Sequence, residues 1–518
     1  MKRDLEGMSR KEYEILVIGG GINGAATAHD AALRGLKVAL IEKNDFGWAT
    51  TSATSKLAHG GLRYLKNFEL SLVRESLRER RILARIAPHL VYPIPFMIPL
   101  YKAGNKKVKI KLGMMLYDLL SYDKKWAEHE EQKIPSHKIL SPGEAIKEEP
   151  RILTEGLTGA AKYYDCQILS PERLCLEFIL TAAGNKADAA NYAEAEKIII
   201  ADNKARGAIV RDNTNGKKYE IKSDIIVNAT GPWLDKMIKT YDERHEPMIR
   251  GTKGIHIVIP KICNNAVVLA TKEGRNFFMI PWRGYSLIGT TDTDFNGDLE
   301  NVYANEKDIL GLIKETNETY NSNLSIKDVA FSYAGVRPLI KEEGRETEVS
   351  RKYEARESNG IIHIAGGKLT TARGMAEKTV DLIVKKLGKK AGCKTEETPL
   401  HGSTISHAKY LKQHLNSRKD KKITEPLMHL YGSKYGEVLK LAENDEVKAQ
   451  TLYAMEEEMA LTLEDVMLRR TGIATTGYPP ISLTLRVFKM MSSYYSWDKA
   501  KKEEEIKKLE ERLKIRKW

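Results

Sequence analysis

Gly19, Gly21 and Gly24 stand in the spacing G-x-G-x-x-G, and Glu42 follows 18 residues after the last of them. This set suits recognition of a dinucleotide. The first glycine permits a tight turn, the second lets a pyrophosphate approach the backbone, and the third lets a helix lie close to a strand. The carboxylate falls near the ~20-residue separation at which it can accept from a ribose hydroxyl. A second stretch, residues 46–65 (FGWATTSATSKLAHGGLRYL), is dense in Thr, Ser and Gly and ends in His59, Arg63 and Tyr64. A packed core has little use for so many hydroxyls and backbone N–H groups, whereas a polar ligand does. Two later stretches, ATGPW at 229–233 and IIHIAGGKLTTAR at 361–373, put small residues after an apolar strand. In the second, a helix beginning at Thr370 or Thr371 turns its positive end toward an electronegative ligand group.

These residues need elements to hold them. Residues 15–18 read as a short buried parallel strand. The helix after it carries Ala25, Ala26, Ala28, Ala31 and Ala32, small enough to lie against a sheet, and Gly35 ends it. Residues 38–41 are a second strand with Glu42 at its end. Residues 171–183 read as a helix, and 224–228 as the strand opening into ATGPW. From 250 to 292, apolar and polar residues alternate with turn signals at Asn264–Asn265 and Arg283–Gly284, which predicts an antiparallel sheet. Beyond about Gly392 the chain is lysine-rich and helical. The expected fold is α/β: a Rossmann-like dinucleotide domain, an inserted antiparallel-sheet substrate domain and a C-terminal helical domain. The boundaries expected are 13–90, 151–250 and 330–392 for the first, 91–150 and 251–329 for the second, and 393–518 for the third.

At 518 residues the chain can fill two or three domains. Its net charge of +14 favours anionic partners: phosphate compounds, anionic lipid heads or nucleic acid. A solvated lysine-rich surface explains the charge equally well. Nucleic-acid binding on a nucleotide-binding scaffold would need a recognition motif or an aromatic–basic cluster. Neither is present, and aromatic residues are only 7%. Cys166, Cys175, Cys263 and Cys393 fit no metal-binding spacing, so no metal is expected, and so few thiols suggest a reducing cytoplasm. The N-terminus shows no secretory apolar region, and no apolar run approaches the ~18 residues of a membrane span, so any membrane contact is peripheral.

Residues 102–120 (KAGNKKVKIKLGMMLYDLL) are read as a basic cluster entering a core helix, with a membrane surface as the other reading. Residues 1–11 read as a charged lead-in, and 121–150 as loop. Pro88, Pro93, Pro95 and Pro99 should divide their stretch into extended pieces. The charged helical tail at 499–518 has three open fates: docking on the body, pairing in a homodimer, or solvation.

Taken together, GGGINGAATAHDAALRGL, TSATSKLAHGGLRYL, VNATGPW, TKGIHIVIP, IGTTDTDF, AGVRPL, AGGKLTTAR and EEMALTLEDVMLRRTGI resemble the FAD-dependent glycerol-3-phosphate dehydrogenases, within the D-amino-acid-oxidase-like flavoproteins. The resemblance spans roughly 13–473 and leaves the tail outside. It implies FAD as cofactor and oxidation of glycerol 3-phosphate to dihydroxyacetone phosphate, with electrons passed to quinone, oxygen or another acceptor. A phosphate dianion needs several fixed cations, and Arg63, Arg337, Arg351 and Lys368 lie in the matched regions, with Tyr64 as a hydroxyl donor. The hydroxyl proton needs an acceptor, His59 or His256. For FAD the resemblance implies Gly19, Gly21, Gly24, Glu42, Thr51, Ser52, Ser55, Ala195, Gly231, Gly367, Leu369 and Thr370. Its rival within the fold, a flavin oxidase of an amino acid or 2-hydroxy acid, needs one arginine for a carboxylate rather than a cationic cluster. The enzyme is expected in the cytoplasm, with peripheral attachment to the cytoplasmic face of the membrane through the lysines of 102–111 and Met114, Met115 and Leu116.

Overall fold

The computed structural model describes residues 1–102, 106–126, 130–341, 353–403, 421–442 and 445–515. The glycine-rich unit sits at the centre of the first sheet. Its parallel strands run in the order Ile361–Gly366, Lys218–Asn228, Glu12–Ile18, Val38–Ile41, Asp188–Ala190, with Tyr353–Ser358 antiparallel on one edge. Side chains alternate across the sheet. Ile15 and Val17 enter one core with the alanines of the helix Ile22–Leu33 and with the helices Pro171–Gly184 and Ala372–Lys386. Leu16 and Ile18 face the other way, toward the hairpin Ala193–Ala201/Lys204–Asp212. A strand buried on both faces reads as an uninterrupted apolar run, as residues 15–18 do.

The second sheet is mostly antiparallel. Ile249–Pro260 pairs with Phe331–Ile340 on one side and Tyr285–Gly289 on the other. The sheet continues through Asn276–Trp282, Ala266–Ala270, Val91–Tyr101 and Leu157–Ile168. Two expected boundaries therefore shift. Leu157–Ile168 and Phe331–Ile340, placed by the sequence in the dinucleotide domain, pair into this sheet, because strand membership is set by which edge is available and not by position along the chain. Val91–Tyr101 is one strand rather than pieces. Pro93, Pro95 and Pro99 share one parity, so their missing N–H groups fall on the same side of the strand.

One face of this sheet buries Ile255, Ile257, Val267 and Met279 against the helix Glu306–Thr319. The other buries Val258, Ile280, Trp282 and Leu287 with Val466, Met467, Val487 and Met491 of the C-terminal helical domain. The charged lead-in at 1–11 packs on the body. Asp4 caps the helix Leu5–Ser9, and Leu5 and Met8 are buried. Within 121–150 a helix, Pro142–Glu148, forms behind a capping box of Ser141 and Glu144. The tail docks on the body: in the helix Lys499–Leu513, Leu509 and Leu513 are buried, and the buried Glu505 carboxylate accepts the Leu463 N–H at 2.7 Å.

The helix Lys106–Leu120 has two apolar faces rather than one. Met114 and Tyr117 are buried, whereas Val108 (60% exposed), Leu112 (60%), Met115 (53%) and Leu119 (69%) face outward at the spacing of a single stripe. Met114 therefore belongs to the core and not to an outer surface.

Candidate functional site

The chain turns sharply after Glu12–Ile18. Gly19 has φ +110°, and a Cβ there would lie 2.6 Å from the Ala229 carbonyl oxygen, so only glycine fits. Gly24 starts the close approach of helix to strand: a Cβ would lie 1.9 Å from the Gly19 carbonyl oxygen. A Cβ at Gly21 would meet only Thr51 Oγ1, at 3.4 Å. Gly21 therefore faces open space at the start of the helix Ile22–Leu33, whose first N–H, that of Ile22, is capped by Thr51 Oγ1 at 3.0 Å.

That space is a cleft of about 430 Å³. Its walls include Gly19, Gly21, Glu42, Thr51, Ala195, Gly231, Gly367, Lys368 and Leu369, which come from four separate parts of the chain. Glu42 accepts the Gly20 N–H at 2.7 Å and the Asn44 N–H at 3.0 Å, so its carboxylate also locks the glycine turn. Burial raises its carboxyl above the usual range, against the pull of those two N–H groups. Ser52 and Ser55 turn away from the cleft. Ser52 Oγ donates to the Trp48 and Ala49 carbonyls, and Ser55 Oγ bonds His256 Nε2 at 2.9 Å. Thr370 is buried, and its Oγ1 accepts the His59 N–H at 3.2 Å, which joins the hydroxyl-rich loop to the start of the helical segment after Lys368.

At this end three candidate residues converge. Lys368 Nζ lies 4.8 Å from the centre of the Tyr64 ring and the Arg63 guanidinium 5.0 Å from it, while Arg63 Nη2 donates to Tyr64 Oη at 3.3 Å. Two cations thus flank one phenol. Arg337 lies on Phe331–Ile340, one residue before Pro338 in the cleft wall. It donates to Thr290 Oγ1 at 2.5 Å and to the Thr291 carbonyl at 3.2 Å, and pairs with Asp292 at 3.2 Å. Arg351 lies outside the described residues.

The two imidazoles differ. His256 is buried, stacked on Tyr333 with ring centres 4.9 Å apart. Burial, then the Arg337 and Lys56 cations, hold it far below its ordinary value, so it is neutral at pH 7. It reaches the hydroxyl-rich loop through Ser55 alone among the described hydrogen bonds. His59 is half-buried, with its ring 6.4 Å from that of Phe278.

Several residues around the site were given no role from the sequence. Trp48 and Trp233 meet at 5.6 Å with Lys43 over the Trp233 ring at 4.1 Å, and Trp233 Nε1 donates to Glu300 of the other domain at 2.8 Å. Lys56 is buried between Trp282 and Tyr333 and pairs with Glu172 at 3.6 Å. Burial lowers its ammonium below the ordinary lysine value. The stretches FGWA, SKL and GPW contain Trp48, Lys56 and Trp233, and none of them says what these side chains touch.

Residues 14–382 match the family described as FAD dependent oxidoreductase, and 393–502 the C-terminal domain of alpha-glycerophosphate oxidase. A glycerol-3-phosphate dehydrogenase of Synechocystis is 37% identical, with 98% of each chain covered. The solved glycerol-3-phosphate dehydrogenase of Bacillus halodurans, complexed with FAD, aligns at TM-score 0.81 and 30% identity over 99% of this chain and 96% of its own. An L-alpha-glycerophosphate oxidase of Mycoplasma pneumoniae with FAD bound shares the fold at TM-score 0.57 and 19% identity, over 74% of this chain and 97% of its own.

The fold, the cleft and the family match define an FAD-dependent oxidoreductase, and FAD is its cofactor. The free space beside Gly21 and a cleft of about 430 Å³ lined by residues from Ala195 to Leu369 fit a dinucleotide. The chain belongs to the family of the glycerol-3-phosphate dehydrogenases, which sets aside the amino-acid-oxidase and nucleic-acid readings.

Proposed function

We propose that this chain oxidises sn-glycerol 3-phosphate to dihydroxyacetone phosphate. The observation that carries the substrate is the cation pair around Tyr64. Lys368 lines the cleft, Arg63 shares the Tyr64 ring with it, and a phosphate dianion is a ligand suited to two cations gathered around one phenol. FAD bound in the cleft supplies the acceptor for the hydride. Gly19 and Gly21 give its pyrophosphate access to the backbone, Glu42 and Ala195 hold its adenosine end, and Gly231, Gly367 and Leu369 its reactive end. Arg63, Lys368 and Arg351 bind the phosphate, Tyr64 adds a hydroxyl donor, and Arg337 orients the substrate's oxygens. We assign proton acceptance to His59, whose backbone is tied to Thr370 beside Lys368. His256, neutral and behind Ser55, positions the hydroxyl-rich loop. The test is anaerobic: purified flavoprotein should bleach on addition of glycerol 3-phosphate, and no bleaching would refute the assignment.

The electron acceptor we infer is a quinone, reached by peripheral attachment to the cytoplasmic face of an anionic bilayer. No described helix is long and apolar enough to cross a membrane. Support comes from the outward stripe Val108, Leu112, Met115 and Leu119, together with exposed Phe68, Tyr122 and Trp126. Lys109 and Lys111 are exposed on the same helix and complement anionic lipid heads.

A further inference from the structure

The adenosine end of the cleft has two walls. One is the loop after Val38–Ile41, which runs from Glu42 through Asp45 to Trp48. The other is the start of Ala193–Ala201, entered through Asn191 and Tyr192 and carrying Ala195 into the cleft. Both walls are fastened to one segment of the C-terminal domain, residues 459–470.

The first fastening is at Asp45, which is wholly buried. Its carboxylate takes Arg470 Nη1 and Nη2, each at 2.7 Å, and Arg469 Nε at 2.6 Å. Burial alone would raise this carboxyl, but the Arg470 and Arg469 guanidiniums outweigh it and hold it below the usual carboxylate range. The second fastening is at Tyr192, whose hydroxyl donates to Asp465 at 2.7 Å, while Asp465 also takes Arg469 Nη2 at 2.5 Å. Asn191 ties the two together: its Nδ2 donates to Asp45 Oδ1 at 3.1 Å and to the Met459 carbonyl at 2.8 Å.

From these points the constraint passes to the cleft by single hydrogen bonds. Tyr192 N–H donates to the Asn44 carbonyl at 2.9 Å, and Ala193 N–H to the Glu42 carbonyl at 2.7 Å. Asn44 N–H in turn holds the Glu42 carboxylate. None of Arg469, Arg470, Asp465 or Asp45 lines the cleft. A charged cluster this deep is costly to desolvate and stabilises only when every member is satisfied. Its placement at both walls of one ligand end is what a purely structural domain junction would not require.

We propose that residues 459–470 of the C-terminal domain are a clasp that sets the width of the adenosine end, so that Arg469, Arg470 and Tyr192 are positioning residues for FAD retention. This rests on the FAD placement proposed above. The clasp is preformed in the protein and is made only when the C-terminal domain is docked, so FAD affinity and domain docking are linked.

The test measures FAD dissociation constants by titrating the apoprotein and following flavin fluorescence, alongside thermal unfolding. Arg470→Met and the milder Tyr192→Phe are compared with Leu427→Ala, which opens a cavity in a hydrophobic cluster of the same domain that contains none of residues 459–470. Arg470→Met should raise the FAD dissociation constant by roughly tenfold or more, the scale of losing one hydrogen bond to a charged group, and Tyr192→Phe by less. Leu427→Ala should lower Tm and leave the FAD constant within about twofold. If Arg470→Met fails to fold, Tyr192→Phe decides alone. Unchanged affinity in a folded Arg470→Met and in Tyr192→Phe overturns the clasp, as does a loss in Leu427→Ala that matches theirs at equal loss of Tm. Absence of FAD binding by the unaltered protein would instead overturn the cleft placement.

Discussion

Replacing Gly21 by valine should separate folding from cofactor binding. At Gly21 the backbone has φ −75° and ψ 177°, a conformation open to any residue, and the added Cβ meets only Thr51 Oγ1 at 3.4 Å. The protein should therefore fold. The N-cap position prefers glycine to valine by roughly 1 kcal/mol, and the less flexible unfolded chain returns ~0.4–1 kcal/mol of it. The two γ-methyl groups, by contrast, occupy the free space through which a pyrophosphate reaches the helix start. Loss of even one hydrogen bond to a charged phosphate costs ~1.5–3 kcal/mol, or ~10–150-fold in affinity. Gly24→Ala is the contrasting case. Its Cβ would sit 1.9 Å from the Gly19 carbonyl oxygen, a collision with backbone that must displace the turn itself, so it should lose both fold and flavin. The assays are the flavin-to-protein ratio after purification, FAD titration of the apoprotein, and apoprotein Tm. A folded Gly21→Val protein that retains full flavin would refute the reading that this glycine faces the pyrophosphate.

Three further outcomes are expected. Lys368→Met, and likewise Arg351→Ala, should lower kcat/KM for glycerol 3-phosphate by ~10–150-fold while glycerol stays a poor substrate, and steady-state kinetics with both alcohols would expose a phosphate site located elsewhere. His29 is buried against Phe178, and neither ring nitrogen has a partner among the described residues. Burial, then the Arg373 cation, pushes it down to about 3. The unfolded chain takes up a proton below its ordinary value near 6.5 and the folded chain does not, so His29 weakens folding increasingly as pH falls from about 6.5 toward 3. His29→Leu should raise Tm at pH 7, because it removes two buried nitrogens that have no partner among the described residues, and its advantage should grow by roughly 2 kcal/mol by pH 5, at ~1.4 kcal/mol per pH unit. Denaturant melts at both pH values check this, and a gap that narrows on acidification contradicts it. Sedimentation with anionic liposomes should show binding at low salt that falls as salt rises. It should fall again in Leu112→Glu/Leu119→Glu, and when Lys106, Lys107, Lys109 and Lys111 become Gln, each lysine contributing ~1 kcal/mol. Binding indifferent to all of these would remove the bilayer from the proposal, and self-association that the leucine changes abolish would assign the stripe to a second copy of the chain.

What the sequence determined by itself was whatever depends on near neighbours in the chain. The turn at Gly19, the open face at Gly21, the close packing at Gly24 and the helix start after Lys368 are local geometries. Each leaves its mark as glycine, small residues or hydroxyls at short spacing. The apolar run 15–18 likewise announced a strand buried on both faces. Tertiary structure decided what depends on partners far along the chain. The strand Leu157–Ile168 joined the antiparallel sheet because Val91–Tyr101 offered it an edge. The helix Lys106–Leu120 left Leu112 and Leu119 outside because its neighbours cover only the side of Met114 and Tyr117; amphipathic period alone does not say how much of a helix will be covered. Ser55 was spent on His256 and Ser52 on its own loop, since a hydroxyl's role is fixed by the nearest acceptor rather than by the residues beside it. Asp45 and Arg470 lie 425 residues apart, and no spacing rule connects them. Only the fold brings them within 2.7 Å, and there burial makes their pairing obligatory, because an unpaired charge at that depth would cost more than the domain junction could supply.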